Sequence, residues 1–91
     1  MKTFNLDARL FAIINSSEFE GKETTGPIMR KGEGNCVELL VFESPDQAKR
    51  FMRDQNITWE KHQIVNLSHS VIVDSVNELS DEFDVKIILV N

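Results

Sequence analysis

The chain has 91 residues, 41% of them hydrophobic, and sets 15 acids against 10 Lys and Arg for a formal net charge of -5. This length supports one domain with a single modest core, since chains of this size bury only about 60 to 65% of their unfolded surface, and six Phe with one Trp exclude a disordered composition. The acidic balance argues against nucleic acid as a partner. The apolar run Leu10 to Ile14 is too short for a signal-peptide core or for the roughly 18 to 20 residues of a membrane span, so a cytoplasmic protein is expected.

In chain order, Leu10-Phe11-Ala12-Ile13-Ile14-Asn15 reads as a first strand closed by the turn-forming Ser16-Ser17, with a helix over residues 8 to 19 as the competing reading. From Ser16 to Asn35 the composition turns polar, broken by Gly21, Gly26, Pro27, Gly32 and Gly34; a long loop is expected, with a brief edge strand at Ile28-Met29. Cys36 to Glu43 carries Val37, Leu39, Leu40, Val41 and Phe42, the near-continuous apolar pattern of a strand covered on both faces.

The strand stops at a complete helix-start signal. Ser44 supplies an N-cap oxygen, Pro45 takes the first helical position, Asp46 suits the positive helix end and Gln47 completes a Ser-x-x-Gln capping box. Ala48, Phe51 and Met52 then form a narrow apolar stripe, and the helix should end near Asn56. Ile57-Thr58-Trp59 leads into a third strand, His62 to Leu67, whose weaker hydrophobicity suits a sheet edge. Ser68 is placed to cap a second helix with Ile72, Val76, Leu79 and Phe83 on one face, and Val85 to Asn91 reads as a second central strand.

These elements predict an α/β fold bordering on α+β: a single four-stranded mixed sheet with two helices, in the order β-β-α-β-α-β, within one domain. If the two central strands are flanked by the His62 strand, the winding reverses. The helices then lie on opposite faces, and a crevice opens at the strand ends near Glu43, Ser44, Gln47 and Asn91. The free N-H groups of the helix opening at Pro45 make this a candidate anion or carboxylate site, against the plainer reading that Ser44 and Gln47 only cap. If the strands step in one direction, both helices share a face.

Neither a metal nor a catalytic site is expected, because one Cys and two His stand in no recognised ligand spacing; no cofactor is implied. Lys31-Gly32-Glu33-Gly34 precedes a strand and lacks a Lys-Ser/Thr ending, so it reads as a hairpin turn and not as a phosphate loop. Lys49, Arg50 and Arg53 form a small basic ridge on the first helix, diluted by Asp46 and Asp54. Asp74, Glu78, Asp81, Glu82 and Asp84 give the second helix and its exit five acids and no Lys or Arg, a surface suited to solubility or to a basic partner. Trp59, outside any clear element, either covers the core or meets a partner.

Val41 to Ala48, then Val65-Asn66-Leu67-Ser68 leading into an amphipathic helix, then Asp84 to Asn91, resemble the amino-terminal domain of the enhanced serine sensitivity (SseB-like) family over about residues 36 to 91. The resemblance implies a small α/β binding or regulatory module without known catalysis, and carries over no functional residues.

The expected function is therefore that of a non-enzymatic interaction or regulatory module for an unknown protein partner, a basic one being the candidate, with a homo-oligomer left open. Two alternatives stand beside it. One is an immunity or inhibitor protein that turns an acidic helix on a basic nuclease or toxin; the other is a small-ligand or anion binder at the Ser44 junction.

Overall fold

A computed structural model describes residues 6-19 and 21-90, with the side chains at 17-19 and 22-24 left aside. It corrects the expected single sheet. Among the described residues there are two three-stranded sheets and two α-helices, an α+β arrangement. The first sheet has the order β2-β1-β5, from Lys22–Pro27, Phe11–Phe19 and His62–Asn66, and is antiparallel throughout. The second has the order β3-β4-β6, from Met29–Lys31, Cys36–Val41 and Asp84–Leu89, with β4 and β6 parallel.

The extra strands come from the segment expected to be a loop. The first strand does not stop at Ser16-Ser17: β1 runs on to Phe19 and pairs back along β2, with Ser16 opposite Thr25 and their hydroxyls 3.3 Å apart. The polar composition of Lys22–Pro27 suits β2, which is an edge strand of its sheet. Gly21, at φ 78°, supplies a left-handed backbone at the reversal that a side chain would strain. Beyond Pro27 the chain leaves β1, after the Ile28 N-H donates to the Ile13 carbonyl, and joins β4 as β3.

The two sheets meet where β4 ends. Phe11 and Phe42 exchange backbone hydrogen bonds of 2.8 Å in both directions, an isolated antiparallel bridge that seats the end of β4 beside the start of β1. Strand alternation then divides the core. Ala12, Ile14, Leu39 and Val41 point to one face, where Ile72 and Val76 of α2 (Ser70–Leu79) cover them. Ile13, Leu40 and Phe42 point to the other, under Ala48 and Met52 of α1 (Pro45–Asp54). Each helix thus has its own half of the core, on opposite faces.

The position of the last strand is a further correction. β6 lies beside β4 as expected, but at the sheet edge and not in the centre; Val85 is buried while Lys86, Ile87 and Leu89 are exposed. Its apolar run covers less of the core than a two-faced strand would, because β5 belongs to the other sheet. β5 is an edge strand, in keeping with its composition.

Local signals set the helix ends. The Ser44 Oγ accepts from the Gln47 N-H at 3.3 Å, and Gln47 Oε1 accepts from the Glu43 N-H at 3.1 Å, so the box closes one residue earlier than the usual reciprocal pair. At the other end Asn56 takes φ 56°, with its N-H on the Arg53 carbonyl and the Ile57 N-H on the Met52 carbonyl, a Schellman closure in which Ile57 and Met52 share the α1 core. The second helix begins later than Ser68: that residue turns back onto the Asn66 side chain, while His69 Nδ1 accepts from the Val71 N-H and caps α2. Phe83 lies past the end of α2, in the turn before β6.

Candidate functional site

The expected crevice at the Ser44 junction is occupied by the cap itself. Glu43, Ser44 and Gln47 stand together, but the N-H groups of Glu43 and Gln47 are already held by side-chain oxygens. Asn91 lies outside the described residues. The Lys31 to Gly34 segment is a tight turn between β3 and β4, with Gly34 at φ 59° and the Gly32 N-H on the Cys36 carbonyl. Cys36 above it is a free, half-buried thiol. Among the described residues no group of three or more His, Cys, Asp or Glu gathers as metal ligands would, and no helix is long and apolar enough to cross a membrane.

Among the described residues charged and apolar side chains meet at a surface hollow beside each helix. The first lies between the C-terminal half of α2 and the corner where β2 passes into β3. Glu78 and Glu82 stand on its helix side with Ser75 and Leu79; Gly26, Pro27 and Met29 form the opposite wall, around about 400 Å³. Helical spacing puts Ser75, Glu78 and Leu79 on one face of α2, and the turn after the helix, with the Glu82 N-H on the Leu79 carbonyl, brings Glu82 beside them. Asp74 and Asp81 are exposed but do not line this hollow. Among the described residues Glu78 and Glu82 have no ion-pair partner.

The second hollow, about 520 Å³, opens on the outer side of α1. Lys49, Arg50 and Arg53 border it with Asp46, Met52 and Ile57 contribute apolar floor, and Trp59 closes one side. Trp59 therefore does not cover the core: it is 54% exposed, at the start of a 3-10 turn over Trp59–Lys61. That turn is pinned from both ends, by the His62 N-H on the Trp59 carbonyl and by His62 Nδ1 2.9 Å from the Thr58 carbonyl.

The wall of the α2 hollow is the part that sequence reasoning missed. The sequence places Gly26 and Pro27 in a loop and Met29 in a brief edge strand, and only the β1–β2 and β3–β4 pairings set the three against α2. Comparisons of the chain with protein-family models, curated proteins and solved structures find no match. The functional reading therefore rests on the two hollows and their charge.

Proposed function

We propose that this chain is a non-enzymatic interaction module that receives a basic, partly apolar segment of a partner protein in the hollow between α2 and the β2–β3 corner. The observation that carries the reading is the meeting of Glu78 and Glu82, unneutralised, with the apolar walls of Met29, Leu79 and Pro27. A Lys or Arg side chain matches such a surface along its length, laying its methylene stem on the apolar wall and its charged head between the carboxylates. The likeness of the Ser44 junction and the closing strand to the SseB-like amino-terminal domain fits the same reading, that of a small binding module without catalysis.

The test is capture of a partner from cell extract on the immobilised chain, followed by affinity measurement with the purified partner. Two partly exposed charge contacts are worth together about 1 to 2 kcal/mol, so E78Q/E82Q should weaken binding about five- to thirtyfold. D74N/D81N removes as much charge outside the hollow and should weaken it far less. Equal losses in the two variants would reduce the effect to general charge, and an acidic partner or unchanged affinity in E78Q/E82Q would refute the reading.

A further inference from the structure

We propose that the hollow on the outer side of α1 is a separate binding site for a small phosphorylated ligand carrying a flat ring, in chemical class a mononucleotide. The charge of the site runs against that of the whole molecule. On a chain of net charge -5, Lys49, Arg50 and Arg53 stand together at one hollow with a single acid, Asp46, at its border. Among the described residues none of the three cations has an ion-pair partner. Arg50 and Arg53 are one helical turn apart, as are Lys49 and Arg53, a spacing at which like charges repel unless an anion lies between them. Three cations and one carboxylate leave a net charge of about +2, which matches a phosphate monoester near neutral pH. Guanidinium forks hold phosphate oxygens in pairs.

Trp59 supplies the second half of the ligand. Its backbone is fixed by the two hydrogen bonds of the 3-10 turn while its ring stays largely in solvent, so stacking a planar group on it requires little reordering. Met52 and Ile57 give the hollow an apolar floor beneath ring and sugar. A volume of about 520 Å³ falls within the range of small-molecule sites. The acids of α2 and the overall negative charge oppose a long polyanion, so a compact anion is favoured over a nucleic-acid strand.

Because Trp59 is the single Trp of the chain, its fluorescence reports on this hollow alone. Titration with adenosine monophosphate should quench or shift that emission to saturation, while adenosine and inorganic phosphate alone should each bind at least about tenfold more weakly than the joined molecule. R50Q/R53Q alters exposed positions, so it should keep the wild-type melting temperature and lose at least about tenfold in affinity. In W59F, calorimetry should show weakened binding with phosphate contact retained. The proposal is overturned if none of the four common mononucleotides gives a saturable change, if R50Q/R53Q binds as wild type does, or if an acidic peptide saturates the signal where mononucleotides do not.

Discussion

Phe42 is where the two sheets and the α1 half of the core are joined, and replacing it with Ala should cost more stability than any other truncation on that side. Its side chain is 1% exposed and the largest of the fully buried ones, packed with Ile13, Leu40, Ala48 and Met52. The ring lies 5.3 Å from that of Phe51, centroid to centroid and tilted by 55°, a geometry worth about 0.5 to 1.5 kcal/mol beyond its buried area. Removing a buried Phe side chain costs about 3 to 5 kcal/mol in lost transfer energy and residual cavity. A domain of this length has roughly 5 to 14 kcal/mol in all, at about 0.05 to 0.15 per residue. F42A should therefore lose between a quarter and most of the stability, with a melting temperature lower by at least about 12 °C. Urea unfolding followed by circular dichroism gives the free energy, and the matched control is L89A, at a side chain 42% exposed on β6, which should stay within about 0.5 kcal/mol of wild type. A loss in F42A below about 1 kcal/mol, or equal to that of L89A, would mean that the sheets are not joined through a packed Phe42.

S44A removes the oxygen that caps α1 and should cost about 1 kcal/mol, while S68A, at a residue that does not cap α2, should cost less; chemical denaturation of both variants decides between the two assignments. N56V forces a β-branched residue into a left-handed backbone and should lose about 1 to 2 kcal/mol, whereas N56G should match or exceed wild type in a thermal melt. Hydrogen bonds from Arg9 hold the Asp7 carboxyl below its ordinary pKa, so any stability the pair adds is present above the ordinary aspartate value and disappears as pH falls through the depressed one. Wild type and D7N, compared by urea unfolding from neutral pH downward, should converge in acid; a gap that widens instead would reverse that sign.

The local elements were legible in the residues because their causes are local. Ser44-Pro45-Asp46-Gln47 opens α1 whatever lies around it, since the cap needs only the oxygen of Ser44 and the free N-H groups of the first turn. Cys36 to Val41 is a strand covered on both faces, and its alternation assigns Leu39 and Val41 to one helix and Leu40 to the other. Likewise the basic ridge of α1 and the placing of Asp74 and Glu78 on α2 follow from helical spacing alone.

What the residues did not disclose was pairing. Lys22 to Pro27 carries no apolar alternation, so its strand character comes from backbone bonds to β1 and not from a buried face of its own. Val85 to Leu89 reads as central because Ile87, Ile88 and Leu89 put apolar residues on both faces, yet β5 joined the other sheet and left β6 at an edge. Both hollows depend on the same long-range choices: the β2–β3 corner set against α2, and the turn that brings Trp59 to α1. Sequence alone determined the two helices and the strands Cys36–Val41, His62–Asn66 and Asp84–Leu89, but not the strand Lys22–Pro27, because propensity, capping and period act within a few residues. Tertiary structure decided which strands are neighbours and which surfaces face each other, because a strand's hydrogen-bonding edge is the same backbone in every residue and only the packed whole selects its partner.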